Sequence, residues 1–154
     1  MSESVRLRGR SYYESLLLAM TEQYFALISR GVSPKEAKAY IAEHLWDEVE
    51  SLCIMYPKLE DEIARRLRDQ LARLYENLPV SEEMIRPPRA LGKLIALFQR
   101  HLREIFGPDR VAREDPVKLR REAELEACSV ALTVAKTILL DAMGVRPGEG
   151  WWWT

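Results

Sequence analysis

The sequence is poor in the residues that build metal, redox and nucleotide sites. Its two cysteines, Cys53 and Cys128, are far apart and form no C-x-x-C pair, so zinc and thiol-redox motifs are absent. Its two histidines, His44 and His101, lack the paired Glu-x-x-His pattern of a di-metal helical bundle. No Gly-rich phosphate loop and no nucleophile elbow occurs either. The sequence therefore predicts no catalytic residue, no metal site and no cofactor.

Long uninterrupted apolar runs are also missing. Residues 1–10 are polar and basic, without the apolar stretch that a signal peptide requires. The most apolar segment, residues 127–143, includes Lys136 and Asp141. This pattern indicates a buried core helix rather than a membrane span.

Local start and stop signals predict helices in the first half of the chain. Ser11, followed by an acidic residue at the capping-box spacing, predicts the start of the first helix, and Gly31 predicts its end. Ser33 and Pro34 predict the start of a second helix, because serine caps a helix and proline fits its first position. Pro57 predicts the end of this helix and the start of a third.

The second half of the chain continues this pattern. A fourth helix is predicted from about residue 89 to residue 106, and Asp115 begins a last one that ends before Gly144. No strand pattern and no internal repeat occurs. We therefore predict an all-α domain over residues 11–146, a bundle of about five mostly antiparallel helices. A short basic N-terminal arm (1–10) and an aromatic C-terminal tail (147–154) flank it.

The charge of the chain is polarised although its net value is only −1. Residues 86–121 hold ten positive and four negative side chains, whereas residues 11–62 hold four positive and ten negative. A polyanion could bind the basic face while acidic faces pair with basic ones on neighbouring molecules. The alternative is a solvated surface with internal ion pairs.

A series of short motifs occurs in the first half of the chain. In order along residues 10–75 they are Arg10-Ser11-Tyr12-Tyr13, Gly31-Val32-Ser33-Pro34-Lys35-Glu36, Ala39, Ala42, Leu45, Pro57, Arg65, Arg66, Leu67 and Leu71. In order and approximate spacing, this series resembles the major capsid (coat) proteins of archaeal filamentous and rod-shaped double-stranded DNA viruses.

The resemblance implies a structural virion protein and not an enzyme. Coat proteins of this kind are helical bundles that pair into dimers, and the dimers stack helically around linear double-stranded DNA held in the A-form. Rod-shaped members use one protein, whereas filamentous members use two paralogous proteins as a heterodimer and can carry a lipid envelope. Because only about ten residues precede the first helix here, the filamentous branch and a heterodimer are favoured. The expected location is the helical nucleocapsid of a virion, made in the host cytoplasm.

A DNA coat must present cations to phosphate, since duplex DNA carries one negative charge per ~1.7 Å. Arginine suits this role because its planar fork binds phosphate oxygens, and no base needs to be recognised. The candidate phosphate-binding residues lie in the arm, on the third helix and in the basic segment. They are Arg6, Arg8, Arg10, Arg65, Arg66, Arg68, Arg73, Arg86, Arg89, Lys93 and Arg100.

Three consecutive tryptophans, Trp151, Trp152 and Trp153, end the chain. We interpret them as anchors in a neighbouring subunit, and contact with a lipid envelope or a floppy tail are the alternatives. Two other functions remain open for the whole chain. One is a non-viral helical adaptor or small subunit of a nucleoprotein complex, which would not polymerise. The other is an enzyme or regulator whose site the sequence does not reveal.

Overall fold

The computed structural model describes the backbone of residues 10–144 and the side chains of residues 11–144. All regular secondary structure in this part of the chain is helical, and it contains no strand, which confirms the predicted all-α class. Seven α-helices and one 3-10 turn follow one another between residues 10 and 144. They are α1 (Arg10–Ser29), α2 (Pro34–Met55), α3 (Leu59–Leu74), the 3-10 turn (Glu82–Ile85), α4 (Ala90–Arg100), α5 (Leu102–Phe106), α6 (Pro108–Arg113) and α7 (Pro116–Met143).

The helix count differs from the predicted number of about five. The predicted fourth helix is interrupted at His101, which has φ −115° and ψ 52° and separates α4 from α5. Gly107, at φ 91°, then ends α5, and Pro108 begins the short α6. The predicted arm and tail lie mostly or wholly outside the described residues.

The helix ends follow local chemistry. The Ser33 hydroxyl accepts a hydrogen bond from the Glu36 N–H at 3.3 Å, and Pro34 occupies the first position of α2. The Asp115 carboxylate accepts from the Val117 N–H at 3.1 Å at the start of α7. These two predicted starts are confirmed, whereas α1 begins one residue before the predicted Ser11.

The long helix α7 lies at the centre of the fold. More than half of its residues are buried, and it packs against α1, α2, α3, α4 and α5. The largest fully buried side chains around it include Tyr13 of α1, Trp46 of α2 and Phe98 of α4. Cys53 and Cys128 are buried in this core as free thiols, and burial raises the pKa of both to about 12.

Candidate nucleic-acid interface

Most of the predicted arginines on α3 are paired with carboxylates of the same molecule. Arg65 and Arg66 both bond to Glu62, with 2.7 Å between Arg66 Nε and Glu62 Oε1. The Arg66 guanidinium also reaches Asp141 near the end of α7. Burial alone would lower the pKa of Arg66, but its hydrogen bonds to Glu62 and Asp141 raise that pKa above its ordinary value. Arg66 therefore links α3 to α7, and its charge is used within the fold.

Arg68 and Arg86 are paired in the same way. Arg68 Nη1 lies 2.7 Å from an oxygen of Glu82, and its Nη2 lies 3.2 Å from Asp69. Arg86 bonds to Asp61, and this hydrogen bond raises the pKa of its guanidinium. Both arginines thus link the 3-10 turn region to α3, and their charge is largely neutralised by acidic neighbours.

Helix α4 presents a different surface. This helix contains no acidic residue. Lys93 and Arg100 are exposed, and so is the small Ala96 that lies between them in the sequence. Seven residues separate the two cations, which corresponds to ~10.5 Å along a helix. Arg89, immediately before the helix, is exposed as well. We call Arg89, Lys93 and Arg100 the α4 basic stripe.

The cations of the α4 basic stripe are not paired with any carboxylate of the described residues. Within residues 11–144, none of its three side chains forms an ion pair; the Lys93 ammonium instead donates to the backbone carbonyl of Arg86 at 2.7 Å. Arg100 is in the last turn of α4, where the helix dipole also favours a cation. The stripe is therefore free to bind an external anion.

A carboxylate from another helix fixes the start of α4. Glu50 of α2 accepts hydrogen bonds from the backbone N–H groups of Arg89 and Ala90 at 2.7 and 2.9 Å. It also accepts from the indole N–H of Trp46 at 2.6 Å. Arg89 adopts a left-handed conformation, φ 62°, and makes no side-chain cap of its own. Glu50 thus serves as the N-terminal cap of α4 and positions the stripe.

Arg73 is the fourth predicted cation that forms no ion pair in the described part of the chain. It is exposed near the end of α3 and lines a groove of about 460 Å³ between α3 and α7. Arg65, Thr133 and Thr137 line the same groove. The structure therefore divides the predicted residues of α3 to α4 into internally paired arginines and four available cations.

Four further exposed cations belong to the basic segment 86–121, which the sequence offered as a candidate region, but they are not among the eleven candidate residues named individually. Within residues 11–144 they form no ion pair, and they follow α4 along the chain: Arg103, Arg113, Lys118 and Arg120. Gln99 donates to the backbone carbonyl of Arg120 at 3.4 Å, which brings the end of α4 against the start of α7. The excess of positive charge in residues 86–121 was the signal for them. Pairing could not be inferred from that count, since Arg110 and Arg121 of the same segment do bind carboxylates.

The remaining predicted residues lie outside the described side chains. Arg10 is the first residue of α1, and its side chain is not among those described. Arg6 and Arg8 of the arm, and Trp151, Trp152 and Trp153 of the tail, fall in segments that the structure does not describe.

No group of three or more His, Cys, Asp or Glu side chains within residues 11–144 could hold a metal ion. No helix between residues 10 and 144 is long and apolar enough to cross a membrane. Comparison with protein-family models, with curated proteins and with solved structures finds no match to this chain.

Proposed function

We propose that this chain is a structural virion protein that pairs into dimers and assembles helically around linear double-stranded DNA. Cations contact the phosphates without reading sequence. The observation that carries the proposal is the α4 basic stripe, a helix surface with cations but no acids. The start of α4 is fixed by the Glu50 carboxylate, which accepts hydrogen bonds from the first backbone N–H groups of the helix.

The ion pairs within the molecule narrow the set of residues that we propose to bind phosphate. Arg66, Arg68 and Arg86 would have to give up bonds to carboxylates before they could bind DNA. Arg89, Lys93 and Arg100 would give up none. Since phosphate contacts gain free energy by releasing counterions, cations that are already neutralised contribute less. We therefore assign the principal phosphate contacts of the described residues to the α4 basic stripe, with Arg73 as an additional contact.

Several finer features of the proposal come from the sequence and from its resemblance to coat proteins. They are the A-form of the DNA, a paralogous partner in a heterodimer, a lipid envelope, the arm cations Arg6, Arg8 and Arg10 as phosphate contacts, and the tryptophan tail as a subunit anchor. Circular dichroism of the bound DNA would report its form, because A-form and B-form duplexes differ in that spectrum.

The first experiment is negative-stain electron microscopy of the purified chain mixed with linear double-stranded DNA, alone and with a co-encoded paralogue where one exists. We expect regular filaments in which the DNA resists nuclease. A second function, a helical subunit of a cellular nucleoprotein complex, is compatible with the same stripe. That function predicts salt-sensitive DNA binding without filaments, and a chain that fails to bind DNA would refute both.

Two variants of equal charge test the assignment of the stripe. Lys93→Gln/Arg100→Gln removes two available cations, and Arg65→Gln/Arg68→Gln removes two paired ones. Each lost phosphate contact should make the slope of log K against log salt shallower by ~0.9, so the α4 variant should lose ~1.8. The α3 variant should retain most of the slope. Equal losses in both variants would show that net charge, and not the α4 basic stripe, governs binding.

A further inference from the structure

The groove between α3 and α7, which Arg65, Arg73, Thr133 and Thr137 help to line, is a polar cavity. We call it the α3–α7 groove. Its volume, about 460 Å³, lies in the range of small-ligand sites in proteins. Among the described residues that line it, Val134 alone is apolar, and the others are charged or carry hydroxyl or amide groups. A ligand of this groove should therefore be polar.

The two helices run antiparallel along the groove. Arg66, midway along α3, bonds to Asp141 near the end of α7. Tyr75 follows α3, and its pKa is raised to about 12 by burial and then by the nearby carboxylate of Glu126, in the first half of α7. The second half of α3 therefore lies along the middle of α7.

Most of the charges in the α3–α7 groove are neutralised by neighbouring side chains. Glu62 accepts hydrogen bonds from Arg65 and, at 2.7 Å, from Arg66. Asp69 accepts from a neighbouring arginine at 3.2 Å. Arg73 is exposed and forms no ion pair with the described residues. The groove thus carries a positive charge that no carboxylate of the described residues balances.

Three hydrogen-bond donors of the groove are available to a ligand. Gln70 and Arg73 are three residues apart, so they are neighbours on the surface of α3. The Gln70 amide forms no hydrogen bond within residues 11–144. On the opposite wall, the exposed Thr133 hydroxyl donates to the Ser129 carbonyl at a long 3.2 Å, and a hydroxyl can rotate to donate to a ligand instead. A guanidinium, an amide and a hydroxyl thus line one groove from two walls.

This set of donors suits a tetrahedral oxyanion. The planar guanidinium can bind two oxygens of one phosphate, and the amide and hydroxyl can bind the remaining oxygens. A carboxylate has only two oxygens in one plane, so it would use fewer of these donors. A cationic ligand would find both groove carboxylates, Glu62 and Asp69, already bonded to arginines.

We propose that the α3–α7 groove binds one phosphate group, with Arg73, Gln70 and Thr133 as its donors. The phosphate can belong to the DNA backbone, in which case the site rests on the proposed function, or to a free phosphorylated molecule. Both sources present the same tetrahedral group. None of the described residues of α4 lines the groove, so this site is separate from the α4 basic stripe.

The first test is a titration of the ¹⁵N-labelled chain with inorganic phosphate at constant ionic strength, followed by NMR. We expect phosphate, but not acetate, to shift the side-chain signals of Gln70 and Arg73. Arg73→Gln should weaken this binding by ~10-fold or more, because a hydrogen bond to a charged group is lost. The control Arg30→Gln removes an exposed arginine that does not line the groove and should leave the affinity unchanged.

Two milder variants test the other donors. Gln70→Ala and Thr133→Val should each weaken phosphate binding less than Arg73→Gln, because each removes a neutral donor. Thermal melting checks that every variant folds. Equal shifts with acetate, or an Arg73→Gln chain that binds phosphate as tightly as Arg30→Gln, would overturn the proposal.

Salt-dependent DNA binding separates the two sources of phosphate. If DNA supplies the phosphate, Arg73→Gln should make the slope of log K against log salt shallower by ~0.9, whereas Arg30→Gln should not. An unchanged slope, together with the expected phosphate titration, would assign the groove to a free phosphorylated molecule. A chain that binds phosphate in the groove but no DNA would refute the coat function and leave the groove site standing. A chain that binds DNA while phosphate shifts no groove signal would refute the groove site and leave the coat function standing.

Discussion

Removing the Glu50 carboxylate should weaken the attachment of α4 to α2. Glu50→Ala leaves three donors without their acceptor, namely the backbone N–H groups of Arg89 and Ala90 and the indole N–H of Trp46. Trp46 is only 2% exposed, so water cannot readily replace the lost acceptor there. The expected defect lies at the start of α4, where no side chain of α4 itself caps the free N–H groups.

The size of the effect follows from these three bonds. Hydrogen bonds to a charged group contribute ~1.5–3 kcal/mol each, but they are not additive and Arg89 is exposed to solvent. We therefore expect Glu50→Ala to lower the free energy of unfolding by ~3 kcal/mol. For a domain of this size that corresponds to a melting temperature lower by ~6–12 °C. Glu50→Gln keeps one acceptor oxygen and should lose less.

Urea unfolding, monitored by far-ultraviolet circular dichroism, measures the difference in the free energy of unfolding between wild type and Glu50→Ala. Glu43→Ala is the matched control, because Glu43 is an exposed glutamate on the same helix and forms no ion pair among the described residues. Its effect should stay within ~0.5 kcal/mol. If Glu50→Ala is no more destabilising than Glu43→Ala, Glu50 does not cap α4 and the reasoning is wrong.

Two further variants test buried and half-buried charges in the described helices. Arg66→Met should lower the free energy of unfolding by ~1–2 kcal/mol, because Asp141 loses its cation, while Arg73→Met, which breaks no ion pair, should be nearly neutral in the same urea assay. Lys136 is 6% exposed, and burial, together with Lys38, lowers its pKa to about 8. Because its unfolded pKa is higher, wild-type stability should rise as pH increases above about 8. Lys136→Met should therefore be more stable than wild type at pH 7, and an advantage that does not shrink by pH 10 would contradict this reasoning.

Sequence patterns predicted the helix ends that depend on neighbouring residues. Ser33 and Asp115 cap helices through bonds to backbone groups two or three residues away, so their role is visible in a short window of sequence. Gly144 likewise ends α7 in a left-handed conformation, φ 76°. The break at His101 had no such signal, because neither proline nor glycine occurs there.

The pairing state of each cation could not be predicted in the same way. Arg66 bonds to Asp141, 75 residues away, and Arg86 bonds to Asp61, 25 residues away. Such partners meet only when the helices pack, so the cations could be counted from the sequence but the unpaired ones could not be identified. The acidic first turn of α3 offered the one local clue, since it places Glu62 within one turn of Arg65 and Arg66.

The cap from Glu50 has a consequence for the charge of α4. Most helices obtain favourable charge at their start from an acidic or hydroxyl residue of their own, but α4 has neither. An acid in its own first turn would lie close to Lys93 and would neutralise part of the stripe. The carboxylate of Glu50 comes from α2 instead, and it satisfies the N–H groups at the start of α4. All its hydrogen bonds are to three N–H donors and none is to a cation of the stripe. Helix α4 can therefore be both stable and free of acidic residues, a combination that suits the phosphate-binding role proposed for it.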